Sequence, residues 1–541
     1  MKIIRSLFFP ACLILLLTAA SSLAPAQTYS VVASFANQLP FLPAVGAAAA
    51  QARDGKYYGT TVEGGTSGLG TVFSVTASGT LTTVYSFDGS VGQYPFGGLT
   101  LGSDGNLYGT TNRGGIGGGN NGSVYKITTA GVITTLHTFA NTGDGANPSS
   151  APIQASDGNY YGTTSGVNVS TTVANSTIYK ITSSGVFSTV HTLTPAEGSN
   201  VSGSLVQGTD GALYGAASTG GNGFGTLFKA TTNGAFTLLH TFGNAPDGSS
   251  PNGSLVQATN GNFYGTTFNG GTNGLGTIFQ LRAAGAVTIL HSFVSADGNF
   301  PEAGLVQGTD DKLYGTTFQG GTGGGVLFKI TTAGALTVLW DFTSNGSQFG
   351  SNPATSLIQA TNGLLYGSTE NPNGGVFYSF DNHLIANAKL QTSAGKIGAK
   401  IGILGQGFSS STVVKFGGVQ ATNVTHTATY LIATVPPGAL TGTVTATTGA
   451  TTLTTINKFQ VKPTQTGFTP PSGPVGSTVT INGTGLTQTA AVTFNGLAAT
   501  TFTVVSDTEV MATVPVGATT GKIKVTTPGG SASSATSFVV N

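Results

Sequence analysis

The sequence predicts an all-β protein: a seven-bladed β-propeller closed by its own N-terminal strand, followed by two small β-sandwiches. A Tyr-Gly pair recurs at Tyr58, Tyr108, Tyr161, Tyr214, Tyr264, Tyr314 and Tyr366, with spacings of 50, 53, 53, 50, 50 and 52 residues. Repeats of that period belong to blade or solenoid architectures. Each unit divides into four short apolar or alternating runs, which between residues 253 and 293 read LVQAT, FYGTT, GTIFQL and VTILHSF, the pattern of four short strands. The composition agrees: 84 glycines among 541 residues, 39% hydrophobic and only 7% charged. Such a chain is too apolar for disorder and too rich in turn formers for long helices.

Along the chain, Lys2 and Arg5 precede an apolar run over residues 7–17 and the small-residue site Ala24-Pro25-Ala26. This predicts a signal peptide over residues 1–26, with Gln27 first in the mature chain, and an exported protein that is extracellular, surface-held or periplasmic. Cys12, the one cysteine, leaves with that peptide, so disulfides, thiol catalysis and thiolate metal sites are excluded. No later segment approaches the ~20 apolar residues of a membrane-spanning helix.

The propeller is predicted over residues 27–385. Asp-Gly or Asn-Gly separates the first two strands at Asp54, Asp104, Asp157, Asp210, Asn260 and Asn362, and Asp310-Asp311 departs from it; these are tight-turn residues. The fourth-strand motif reads LTTVYSF from Leu81, VTILHSF from Val287 and LTVLWDF from Leu336, while a further copy, YSVVASF from Tyr29, precedes the first Tyr-Gly unit. The seventh unit has a third strand, GGVFYSF, and no fourth. The N-terminal strand therefore completes the last blade and removes two exposed sheet edges.

The pattern DGxLYGTT...GG...G(V/I)FK(I/L)...(L/V)(H/Y)xF resembles the tandem GloVer (Gloeo/Verruco) repeat of exported bacterial proteins over about 350 residues. The resemblance implies export and little chemistry. Beyond Asp381, IGILGQGF from Ile401 matches VTINGTGL from Val479 at an offset of 78, and ATVP from Ala433 matches ATVP from Ala512 at 79. These modules, residues 386–462 and 463–541, resemble IPT/TIG domains, immunoglobulin-like sandwiches. They are expected to serve as stalk or as secondary binding modules.

Charge and motifs exclude more than they assign. With 19 Lys+Arg against 18 Asp+Glu there is no basic footprint for nucleic acid. No H-E-x-x-H, G-x-S-x-G or phosphate-loop lysine motif occurs, and no cofactor or metal is predicted. His137, His191, His240 and His291 share one outer-strand position in separate blades and cannot gather around one ion.

In a four-stranded meander, the links between strands two and three share a face with the links between blades. Both are long and variable here, the loops where binding residues concentrate. Five residues past each Tyr stand Glu63, Arg113, Gly166, Thr219, Asn269, Gln319 and Asn371, with Phe268 and Phe318 one residue earlier in adjacent blades. Arg113, Asn269, Gln319, Phe268 and Phe318 are the candidate ligand-binding residues, a polar rim beside apolar platforms suited to a glycan or a cell-surface protein. The expected function is a noncatalytic exported binding or surface scaffold. The alternative is a polysaccharide hydrolase or lyase, for which the mature chain offers few acids: Glu63 and Glu370, in equivalent loops of the first and last blades, form the only carboxylate pair the repeat alignment constructs.

Overall fold

The computed structural model describes residues 27–35, 49–115, 117, 119–166, 175–243, 245–343, 349–371 and 375–541; the predicted signal peptide lies outside them. The chain is all-β. Blade 1 is the antiparallel sheet Ala50–Gln51, Tyr57–Thr61, Thr71–Val75 and Leu81–Ser86. Five sheets of the same order follow, which we number blades 2 to 6, beginning at Thr100–Leu101, Ile153–Gln154, Val206–Gln207, Val256–Gln257 and Val306–Gln307. Blade 7 takes Ile358–Gln359, Leu365–Asn371 and Val376–Asp381 from one end of the propeller and Thr28–Ser34 from the other.

The Tyr-Gly pair is explained by what crosses it. In the second strand the glycine stands opposite an aromatic residue of the third, as Gly59 opposite Phe73 and Gly265 opposite Phe279. A Cβ there would come within 2.5 to 2.6 Å of the facing ring, so only glycine lets the aromatic lie flat across the strand. The tyrosine beside it points the other way, into the seam with the next blade. Tyr108 stacks on Tyr160 with ring centroids 3.8 Å apart, Tyr214 on Phe263 at 4.0 Å and Tyr366 on Tyr57 at 4.3 Å. The core therefore sits between blades, each apolar cluster drawing on two neighbours. The hydroxyl at the wet end of each ring is satisfied locally: Tyr58, Tyr108, Tyr161, Tyr214 and Tyr314 donate to the turn aspartate four residues earlier at 2.8 to 2.9 Å. Those aspartates also accept the amide two residues on, which accounts for them as turn residues. Asp311, where other copies have glycine, adopts a left-handed φ of 61° and accepts a hydrogen bond from Thr259.

Closure follows the predicted route. Thr28 pairs with Asp381 and Ser34 with Val376, antiparallel. Tyr29 stacks on Trp340 of blade 6 at 4.7 Å and 9°, with Phe342 and Tyr378 against its other sides. The blade 1 turn at Gly79 approaches the Val32 carbonyl as Gly131 approaches that of Val84 and Gly185 that of Leu136, so the N-terminal strand stands to blade 1 as each outer strand stands to the next blade.

A second set of contacts runs around the axis. Gln154, Gln207, Gln257, Gln307 and Gln359, in the innermost strands, each accept the backbone N–H of the first-turn residue of the preceding blade at 2.8 to 3.1 Å. Gln51 does the same for Thr361, across the seam between blades 7 and 1. Leu101 interrupts the series, and there Arg53 of blade 1 donates to the Ser103 carbonyl instead.

The first sandwich is built from an eight-stranded and a two-stranded sheet and the second from two sheets. In both, the G-x-G-(F/L) turn has a left-handed second glycine, Gly407 and Gly485, and drives Phe408 or Leu486 into the core. The first sandwich lies against the Asp-Gly turn face of the propeller. Thr429 donates to the Arg53 carbonyl at 2.6 Å, Gln391 to Gly102 at 3.2 Å, Asn387 to Ala360 at 3.1 Å, Lys462 to Ser156 at 2.8 Å and Gln460 to Thr209 at 2.9 Å. The Ile385 amide donates to Thr309. Arg53 joins this interface, donating to Gln391 and lying 4.3 Å over the Tyr430 ring.

Replacing Tyr29 by Ala removes a buried ring from the closing seam. Stability is expected to fall by about 3 kcal/mol, read as a lower urea midpoint, and an unchanged midpoint would show that the ring does not depend on its N-terminal strand.

Candidate functional site

With the first sandwich on the turn face, the other propeller face carries the strand two-to-three loops and the links between blades. These two sets of loops are laced together. Gln93 pairs with Arg113, Ser199 with Thr219 and Asn299 with Gln319 in single β-bridges, while Ser249 pairs with Asn269 and Ser351 with Asn371 in two-residue ladders. The position five residues past each Tyr is thus a backbone pairing position in five blades.

The next residue of each link is the joint. Tyr94, Asn147, Asn200, Ser250, Phe300 and Asn352 have φ between 56° and 58°, a left-handed conformation that side chains disfavour. At Tyr94, Ser250 and Phe300 the amide donates to the preceding blade, at Leu69, Phe224 and Leu275, and the carbonyl accepts from the blade about to begin, at Asn112, Phe268 and Phe318. Proline follows in five of the six links, as Pro95, Pro148, Pro251, Pro301 and Pro353.

The residue after this proline leads into the stretch where adjacent blades meet. There, segments of adjacent blades touch through small residues: a Cβ on Gly97 would meet Ser150, one on Gly203 would meet Gly253, and one on Gly253 would meet Ala303. Just above this ring the six links carry Phe96, Ser149, Ser202, Asn252, Glu302 and Ala354. Glu302 is the one charge in the series. It is largely buried, and burial together with the nearby Glu370 carboxylate raises its pKa from 4.5 to about 7. Burial also raises that of Glu370, in the strand two-to-three loop of blade 7. Neither carboxylate has a hydrogen-bond or ion-pair partner among the described residues. Two residues before Glu302, Phe300 stacks on Phe268, centroids 5.0 Å apart and 24° between planes.

The predicted residues divide on this frame. Phe268 enters the aromatic stack, and Phe318 is tied by its backbone to Phe300 and accepts from the Asn352 side chain. Asn269 is partly buried in its ladder, whereas Arg113 and Gln319 are exposed rim residues held by their backbones. Glu63 is exposed with no partner for its carboxylate among the described residues, and the acid that feels Glu370 is Glu302. Phe300 and Glu302 escaped the repeat alignment because it was anchored on Tyr-Gly and followed the strand two-to-three loops. Alignment on the left-handed residue and proline of the links isolates both.

The shared histidines form clasps at the rim. His137 meets Asp144 at 3.0 Å, His191 Glu197 at 3.2 Å, His240 Asp247 at 3.1 Å and His291 Asp297 at 2.9 Å. Each acid also caps an amide of its own link, at Ala140, Thr194, Gly243 and Val294. Burial holds His137 below the usual imidazole range despite Asp144. Among the described residues no three His, Cys, Asp or Glu side chains cluster as a metal site, and no helix is long and apolar enough to cross a membrane.

Glu302 yields a pH prediction. Its folded pKa of about 7 lies above the ordinary 4.5, so the stability tied to its proton is complete below the ordinary value and is lost as pH rises through 7. Glu302→Gln is therefore expected to leave stability unchanged at pH 4 and to raise it at pH 8, by up to about 3 kcal/mol, in paired urea titrations. Equal effects at both pH values would show that its proton is not held by the fold.

Among solved structures, a putative 6-phosphogluconolactonase from Bacteroides fragilis is 17% identical, covering 64% of this chain and 90% of its own, with a TM-score of 0.41. A protein of unknown function from Bacteroides thetaiotaomicron is 11% identical, covering 65% and 96%, with a TM-score of 0.37. A putative gluconolactonase is 12% identical, covering 52% and 85%, with a TM-score of 0.31. No curated protein matches. Residues 388–461 and 463–540 each match the IPT/TIG domain. Residues 19–174 and 151–380 match the Gloeobacter/Verrucomicrobia repeat, and with that repeat over most of its length the chain belongs to the Gloeobacter/Verrucomicrobia repeat family.

Proposed function

We propose that the protein is an exported, noncatalytic carbohydrate-binding scaffold whose ligand sits on the loop face of the propeller, above Glu302 and Glu370 and against Phe300 and Phe268. One observation carries this reading: the turn face is occupied by the first sandwich, while the loop face holds two largely buried carboxylates without partners beside a stacked aromatic pair. Sugars are recognised by directional hydrogen bonds to a few polar groups and by an apolar platform for the ring face. Carboxylates with free acceptor positions supply the first and the phenylalanines the second. The basic and apolar N-terminal residues 1–26 support export. The lacing of the face suits binding without closure, since in five blades the loop is fixed by backbone pairing.

A second reading rests on the raised pKa of Glu302. A carboxyl group protonated near neutral pH is suited to general-acid work, and Glu370 supplies the second acid that glycoside hydrolysis needs. One experiment separates the two: a glycan and cell-envelope binding screen of the secreted protein, with released sugars assayed in the same wells. The scaffold reading expects binding without release, weakened about tenfold or more by Phe300→Ala. The hydrolase reading expects sugar release that Glu302→Gln abolishes. A screen negative for both would overturn carbohydrate as the ligand class.

A further inference from the structure

We propose that the foot of the central channel, where the first sandwich closes it, binds a small oxyanion such as sulfate, phosphate or a small carboxylate on the ammonium of Lys389. The inference starts from strand alternation. In the strand Asn387–Leu390, Ala388 and Leu390 face the core of the first sandwich. Asn387, Lys389 and the following Gln391 then share the opposite face. That face is turned to the propeller: the Asn387 side chain donates to Ala360 of blade 7 and that of Gln391 to Gly102 of blade 2. Lys389 stands midway between these two anchors. The sandwich meanwhile also bonds to Arg53, Ser156, Thr209 and Thr309, in blades 1, 3, 4 and 6. A footprint touching so many blades straddles the axis, and Lys389 lies within it.

The ammonium has no counter-charge there. Lys389 is half-buried; its ammonium forms no hydrogen bond or ion pair with a described residue, and burial pushes its pKa down to about 8. The turn aspartates of the same face are engaged elsewhere, each accepting from its own tyrosine. Two further polar atoms of this interface are buried and unpartnered, Asn387 Oδ1 and Arg53 Nε, and Asn387 itself is wholly buried. Buried charges are ordinarily paired, and buried polar atoms ordinarily bonded to protein, water or ligand. An oxyanion satisfies the ammonium and the arginine N–H, and its bound water or acidic proton satisfies the amide oxygen.

Sulfate is the probe. Thermal unfolding of the full chain is followed as sodium sulfate is added, against sodium chloride at equal ionic strength, for wild type, Lys389→Met and Lys389→Arg. Sulfate stabilises most folded proteins by exclusion from their surface, and the Lys389→Met variant measures that background. The expected result is a saturable rise of a few degrees in wild type and Lys389→Arg, reduced to background in Lys389→Met, which without sulfate is no less stable than wild type. Identical sulfate responses in wild type and Lys389→Met overturn the proposal. Should Lys389→Met fail to fold, the dimethylated Lys389 resonance in wild type decides: a saturable sulfate-dependent shift with a raised pKa upholds the site, and an unmoved resonance removes it.

Discussion

Five seams of the propeller depend on a residue, Tyr94, Asn147, Asn200, Ser250 or Phe300, whose amide belongs to one blade and whose carbonyl belongs to the next. Such a residue must turn the chain between two hydrogen-bonding directions within a single peptide unit, and the left-handed conformation of Tyr94, Ser250 and Phe300 is how it does so. Each side chain held there costs roughly 1–2 kcal/mol. The cost is offset by two backbone bonds that water would otherwise satisfy, by the proline that fixes the following φ, and by the aromatic core the seam encloses. Because the joint is made by backbone, its side chains are free to vary, and they do so from Tyr through Asn and Ser to Phe. Rigidity and variability thus reside in the same residues, which is what a binding face on a repetitive scaffold requires.

The scarcity of charge makes the acids informative. Five aspartates serve tyrosine hydroxyls in the turns, and four more acids clasp histidines at the rim. These are structural duties repeated with the blades. Glu302 and Glu370 stand outside both patterns, and no partner relieves their burial. An unrelieved burial of two carboxyl groups on the loop face, which also carries the Phe268–Phe300 stack, is a feature the fold itself does not explain.

The architecture was legible because repetition multiplies weak signals. A single FYGTT run is an ambiguous strand, but seven Tyr-Gly pairs at one spacing identify a repeating unit, and the surplus fourth-strand motif at Tyr29 reveals how the ring closes. The proposed site is legible only in part. Phe268 stands out because it shares an alignment column with Phe318. Glu302 was missed because its neighbours in space come from a link of blade 6 and a loop of blade 7, positions with no common sequence coordinate. The contact between Arg53 and Tyr430 spans most of the chain and has no local sequence signature at all. Periodicity reports what blades have in common, whereas sites are made by what they do not share.

The break in the glutamine series has a consequence of this kind. A ring of near-identical repeats presents a cap with nearly equivalent rotational settings, and identical seams would leave docking degenerate. Leu101 removes the glutamine at one seam, and Arg53, no longer matched to it, reaches out to Ser103, Gln391 and Tyr430. That broken symmetry, together with the chain connection to blade 7, gives the first sandwich an address on the ring. It thereby decides which blade stands above every other residue of the cap, and so which part of the loop face each carries to the far side of the molecule.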